Sequence, residues 1–143
     1  MNEIRKKIYI FDKIRVFFKH TDYYGYVHPY NYCEWTSYVR EAFFSENCGD
    51  FKKIIGSKVK MMTAKIQMNT HADCSFGDLI EARLTVTKVK KVSFDVIVKF
   101  INVGMGEPAA ETQHTLVFVD SEFGQFTDIP GNIKLAIADY QEY

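Results

Sequence analysis

Apolar residues along this chain recur first with a period of two, then at helical spacing, then with a period of two again. From Ile8 to Lys19, Ile8, Ile10, Ile14, Val16 and Phe18 share one parity and Lys13, Arg15 and Lys19 the other, the pattern of a half-buried strand. Asp12 breaks that apolar parity, as a bulge or a late strand start would. From Pro29 the period changes. Tyr32, Trp35, Val39, Ala42 and Phe43 fall at helical spacing, Pro29 suits a first helical position, and Cys48-Gly49 reads as the end. The apolar face is wide, which predicts a deeply buried helix rather than a surface one.

Beyond the helix the pattern predicts strands only. Val59 to Thr70 is the first, with a phase slip around Met61-Met62. Ile80, Ala82, Leu84 and Val86 then alternate with Glu81, Arg83, Thr85 and Thr87. Val92, Phe94, Val96, Val98 and Phe100 alternate against Ser93, Asp95 and Lys99, and His114, Leu116 and Phe118 oppose Thr115, Val117 and Val119. Phe76-Gly77-Asp78, Lys90-Lys91 and the stretch from Asn102 to Pro108 separate these runs. The order is strand, long helix, then four strands in a meander. A sheet with one apolar face needs a cover, and the long helix is the candidate for it. The predicted class is α+β, an antiparallel five-stranded sheet wrapped around one central helix, in a single domain over residues 1–143.

Composition narrows the function. With 143 residues the chain is long enough to bury roughly 68–70% of the surface its unfolded form exposes. Lys+Arg and Asp+Glu balance at 18 each, which gives no electrostatic reason to expect nucleic acid or an anionic membrane as partner. The aromatic fraction of 15% is high, and those rings need a core, an interface or a ligand cleft. The N-terminal MNEIRKKIYIFDK lacks the apolar run of a signal peptide, and no stretch has the length of a membrane span. Cys33, Cys48 and Cys74 are odd in number and far apart, so neither a disulfide framework nor a zinc site is expected, and a cytoplasmic setting is the default.

Reactive residue types concentrate between the first strand and the helix, in KHTDYYGYVHPYNYCEW from Lys19 to Trp35. The order Asp22-x-x-Gly25-x-Val27, then Asn31-Tyr32, Trp35 and Arg40, resembles the signature of hotdog-fold acyl thioesterases of the 4-hydroxybenzoyl-CoA thioesterase type. Phe76-Gly77-Asp78 before a strand and Ile129-Pro130 after the last one add to the match, which covers nearly the whole chain. The resemblance implies a hotdog fold, thioester hydrolysis without a cofactor or metal, and Asp22 as nucleophile or general base. It also implies an oxyanion hole at the start of the following helix. Physical chemistry agrees with that placement, because a carboxylate can act as base or nucleophile and a helix N-terminus presents unpaired N–H groups to developing negative charge. Gly25 would allow the chain to turn sharply there.

One departure stands out. Seven residues after the aspartate the family often supplies a backbone N–H to the oxyanion, and here that residue is Pro29, which has none. The donor then shifts to Tyr30 or Asn31, or the His28 side chain substitutes, or the hole is weak. A second, partial resemblance links Trp35, Arg40-Glu41-x-Phe43 and Met62-Thr63 to thioesterases that release polyketide chains from carrier proteins in enediyne pathways. That likeness implies that Arg40 positions substrate, and it differs in that those proteins lack an acidic residue at the place of Asp22. The expected substrate is thus an acyl-CoA or an acyl-carrier-protein thioester, and the expected assembly a homo-oligomer. A tetramer built as a dimer of dimers fits the type, with the Asp22 loop of one chain meeting the Thr63 strand of another. A non-hydrolytic acyl-binding hotdog protein is the alternative, made credible by Pro29, and a dehydratase is a third.

Each candidate also has a plainer reading. Asp22 can cap the helix or a turn, and Arg40 can form a buried ion pair with a carboxylate, Asp22 included. His20 and His28 fit hydrogen-bonded structural or surface roles. Cys33 lies on the helix with no partnered base. His71, Asp73 and Cys74 form a polar turn rather than a metal set. Lys88, Lys90 and Lys91 mark a solvated hairpin tip, or a contact for a CoA phosphate or an acidic carrier protein.

Overall fold

A computed structural model describes residues 7–49 and 51–142 of the chain. Residues 1–6, part of the N-terminal segment discussed above, lie outside the described residues. The strands are β1 (Tyr9–Arg15), β2 (Val59–Thr70), β3 (Leu79–Thr87), β4 (Ser93–Asn102) and β5 (Glu107–Asp120), all antiparallel to their neighbours in the order β1-β3-β4-β5-β2. Helix α1 (Tyr30–Asn47) crosses one face of this sheet, and two shorter helices, α2 (Phe51–Ile55) and α3 (Gly131–Ala138), follow α1 and β5 respectively. Among the described residues no helix is long and apolar enough to cross a membrane.

The sheet presents a core face made by alternate residues, as the period of two requires. Ile80, Ala82, Leu84 and Val86 of β3, Phe94, Val96, Val98 and Phe100 of β4, and Leu116 and Phe118 of β5 are buried on it. Against them α1 places Tyr32, Val39, Phe43 and Phe44, while its Glu34, Tyr38 and Glu41 face water. The helix is therefore covered on one side only.

Five expectations change, while the bulge foreseen at Asp12 is present. The four predicted meander strands are a meander of three, β3 to β5, because β2 crosses to the far edge and pairs with β5. Alternation records which face a residue takes but not which strand lies next to it. The register of β1 against β3 slips between Phe11 and Ile14, so Asp12 marks a bulge. That slip inverts the facing: Tyr9 before it and Ile14 and Val16 after it are buried, while Ile8 and Ile10 are 50% and 53% exposed. Strand β1 also ends at Arg15, and Phe18–His20 forms a 3-10 turn that leaves Phe18 in solvent. The slip in β2 falls between Thr63 and Lys65, two residues beyond its expected place. Finally, α1 is not the only helix, since the short α2 and α3 had no long periodic signal.

Candidate active site

The Asp22 loop hangs between the 3-10 turn and α1 and is pinned at both ends. Thr21 bridges Val27, Tyr26 bridges Ser75, and the Val27 N–H donates to the Cys74 carbonyl at 2.8 Å. Within the loop the Gly25 N–H donates to the Asp22 carbonyl at 3.0 Å and the Asp22 N–H to the Tyr26 carbonyl at 2.7 Å. This tight reversal holds Gly25 at φ +82°, where an L side chain is strained, so the glycine is required by the turn itself. Asp22 Oδ1 accepts N–H bonds from Tyr24 at 2.9 Å and Tyr26 at 3.1 Å. The plainer reading of Asp22 is thus present in one form: it caps its own turn and not the helix. Its second oxygen, Oδ2, has no hydrogen bond among the described residues, and the side chain is exposed.

Next to this loop, α1 starts on Pro29, which sits in helical conformation with φ −54° and ψ −33°. The first turn is tightened: the Asn31 N–H donates to His28 O and the Tyr32 N–H to Pro29 O, both at 3.0 Å. Asn31 is buried and its side-chain Nδ2 donates to His20 O at 2.8 Å and His28 O at 3.1 Å, clamping the loop onto the helix start. Its backbone N–H is therefore engaged. Tyr30 differs. Its N–H makes one long contact, 3.4 Å to His28 Nδ1, and its ring lies 4.7 Å from the His28 ring. No acidic side chain occupies the first turn of α1 to offset its positive end. The segment offers one free carboxylate oxygen, on Asp22, and one weakly held N–H, on Tyr30 eight residues later.

His20 is a structural residue, with Nδ1 accepting the Phe17 N–H at 2.9 Å, its ring edge-on to Trp35 and its pKa lowered by burial. Burial pushes the Cys33 thiol pKa up, away from thiolate chemistry. Cys74 is buried and accepts from Asn102 Nδ2 at 3.7 Å, while His71 and Asp73 beside it face solvent. Among the described residues no three His, Cys, Asp or Glu side chains are placed to hold a metal ion.

Farther along α1, Arg40 is brought to Thr63 and to a residue that sequence reasoning passed over as a strand position, His114. Arg40 Nη1 donates to Thr63 Oγ1 at 3.0 Å and to His114 Nδ1 at 3.2 Å. The ion pair considered for Arg40 does not form: the pairs among the described residues join Lys7 to Asp139, Lys58 to Glu122 and Arg83 to Glu81. A histidine at an inward position of β5, between the buried Thr112 and Leu116, was the signal available. Burial, and then the neighbouring Arg40 charge, push the His114 pKa down to about 4. The unfolded chain takes up a proton on this residue below about 6.5, whereas the folded chain waits until about 4. Stability present above about pH 6.5 is therefore lost as the pH falls to about 4 and changes no further on this account below that. Urea titrations across that window should show a decline of up to about 3 kcal/mol from this residue. His114→Asn should flatten the slope, and an unchanged slope would assign the decline to other groups.

Residues 7–137 match the profile of the Thioesterase-like superfamily, and the protein belongs to that superfamily. The hotdog resemblance read from the Asp22 loop and the strand order is thereby confirmed. Dynemicin thioesterase has the same fold, with a TM-score of 0.85 over 97% of this chain and 99% of that one at 17% identity. The 1,4-dihydroxy-2-naphthoyl-CoA thioesterase from Synechocystis also gives 0.85, over 93% and 97% of the two chains at 17% identity. A gentisyl-coenzyme A thioesterase gives 0.75 over 92% and 99% at 25% identity. No curated protein matches the sequence.

Proposed function

We infer that this protein hydrolyses acyl thioesters, with Asp22 as the group that attacks the carbonyl or activates water. The observation that carries this reading is that one short segment leaves Asp22 Oδ2 free and the Tyr30 N–H weakly held at the unneutralised start of α1. Oδ1, fixed by two backbone N–H groups, holds the carboxylate in place, and Oδ2 is left for chemistry. Tyr30 is the oxyanion donor. Asn31 supports it by holding the turn, Gly25 shapes the loop, and His28 shields the Tyr30 N–H until substrate displaces its ring. Arg40 and Thr63 position the substrate beyond the thioester.

Both acyl-CoA and acyl-carrier-protein thioesters suit such a site. CoA is favoured by two relatives named for CoA thioesters, and a carrier-bound polyketide by the resemblance of Trp35, Arg40-Glu41-x-Phe43 and Met62-Thr63 to enediyne-pathway thioesterases, beside the shared fold of dynemicin thioesterase, whose structures concern polyene binding. Release of free thiol from a panel of both kinds tests the reading, and absence of turnover on all of them would leave the acyl-binding alternative. That alternative rests on Pro29, which supplies no N–H. If Tyr30 is the donor, Pro29→Ala restores an N–H that the site does not use, and kcat should shift less than about tenfold. A large gain in kcat would mean that the natural site is poor at hydrolysis and would favour binding.

Assembly follows from β2. This 12-residue edge strand has one side paired to β5 and its other edge open, with Thr63, Ala64, Lys65, Ile66 and Gln67 all exposed. Long open edges invite pairing with another chain. A homo-oligomer, with tetramers formed as dimers of dimers, covers this edge and sets Thr63 of one chain near the Asp22 loop of another. Small-angle scattering at micromolar concentration should return at least twice the monomer mass; a monomer would remove the assembly from the proposal.

A further inference from the structure

The Arg40 cluster holds more donors than acceptors. Arg40 is 9% exposed and His114 1% exposed. Arginine has only N–H groups to offer, so His114 accepts at Nδ1, and its neutral ring then carries the proton on Nε2. That Nε2–H and the Arg40 Nε–H are both buried with no hydrogen-bond partner among the described residues. The remaining contact, Thr63 Oγ1, is neutral. One full positive charge thus sits in the seam between α1 and the sheet with no carboxylate in ion-pair contact among the described residues; the exposed Glu41 next to it on α1 acts on it only through its charge, and two donors go unanswered. Burying a charge this way is costly unless something compensates it, and buried donors without acceptors add to that cost.

What is missing is an acceptor that carries negative charge. The cluster reaches the surface at Thr63, which is exposed, beside Ile66, which is 53% exposed on the same strand. Thr63 is thus the side from which a ligand, or a ligand held between two chains paired at β2, would approach the cluster. A carboxylate matches the site better than a phosphate group of CoA. It brings about one charge to one buried cation, and its planar pair of oxygens suits a guanidinium edge.

We propose that Arg40 and His114, with Thr63 at the rim, form a subsite for a free carboxylate on the acyl group of the substrate. This rests on reading the protein as an acyl thioesterase and adds the substrate class: thioesters whose acyl chain carries a second, anionic carboxyl group. Arg40 makes the charged contact, and His114 both holds the guanidinium through Nδ1 and donates from Nε2.

Two non-hydrolysable thioether analogues of acyl-CoA test it, equal in chain length, one ending in a carboxylate and the other in a methyl group. Calorimetry on the wild-type protein should show the carboxylate analogue binding roughly 10–100-fold more tightly, as expected for charge-assisted hydrogen bonds. Arg40→Met and His114→Leu should each narrow that gap, and His114→Asn, which keeps an acceptor near the Nδ1 position, should restore much of it. The same pair built on pantetheine, without the CoA phosphates, should keep the preference. Equal affinities in the wild type, no binding of either analogue, or a preference that vanishes with pantetheine would each overturn the carboxylate subsite. So would substitutions that lower Tm while leaving the preference intact, because they would make the cluster structural. Assays on the matching thioesters separate the two readings. Preference without hydrolysis removes the thioesterase assignment alone, and hydrolysis without preference removes the subsite alone.

Discussion

Asp22→Asn is expected to lower kcat by roughly 10²–10⁴-fold on the best thioester while Tm stays close to the wild-type value. The local hydrogen bonds make this substitution unusually clean. Oδ1 accepts from the Tyr24 and Tyr26 N–H groups, and an asparagine oxygen can accept the same two bonds, so the turn that Gly25 closes should survive. What changes is the free oxygen, Oδ2, which becomes an amide nitrogen that donates hydrogen bonds and can neither accept a proton nor attack a carbonyl. Asp22→Ala removes both functions and should lose the turnover together with some loop order. Comparing kcat and thermal unfolding for the two variants therefore separates chemistry from loop geometry. If Asp22→Asn retains wild-type kcat while Asp22→Ala does not, the carboxylate is a turn cap and the catalytic assignment is wrong.

The largest expected loss of stability lies at Phe43. Its ring is fully buried and meets Tyr9 of β1 at 5.4 Å between centroids, Phe44 at 5.4 Å and Tyr140 near the C-terminus at 4.9 Å. One side chain thus ties α1 to the edge strand and to the segment after α3. Phe43→Ala should cost about 3–5 kcal/mol, since the lost apolar contact is joined by the cavity left behind. Against a total stability of about 5–15 kcal/mol that is a large share. Tm should drop by roughly 10–20 °C at fixed protein concentration. Tyr23, 97% exposed, serves as the control, and its replacement by alanine should change stability by less than about 0.5 kcal/mol. A Phe43→Ala variant as stable as the control would mean that α1 is not anchored through this ring.

Much of the candidate site was legible because it is local in the chain. Asp22, Gly25 and Tyr26 lie within one turn, so the residue types that close such a turn are neighbours in sequence. Pro29 likewise announced the start of α1, and β2 runs between the residues that its composition suggested. Which of the Tyr30 and Asn31 N–H groups is engaged was not legible. It depends on a side-chain clamp from Asn31 Nδ2 to His20 O, eleven residues back, and on a 3-10 type first turn that engages one N–H and spares the other.

By itself the sequence determined the α+β class, the alternation that faces β3, β4 and β5 onto a core, and the place of the reactive loop. Each of these follows from periodicity or from contacts within a few residues. Tertiary structure alone decided that β2 crosses to pair with β5, because the pairing of strands depends on chain path and not on pattern. It also decided which residues of β1 turn inward, since a single bulge at Asp12 inverts every position before it relative to those after. Above all it joined Arg40 to Thr63 and His114, 23 and 74 residues away in the chain, in one polar cluster that is buried at Arg40 and His114 and exposed at Thr63. No spacing rule connects positions so far apart. They meet because α1 lies across β5 and its edge partner β2, and that crossing leaves an arginine in the seam with no carboxylate in ion-pair contact among the described residues.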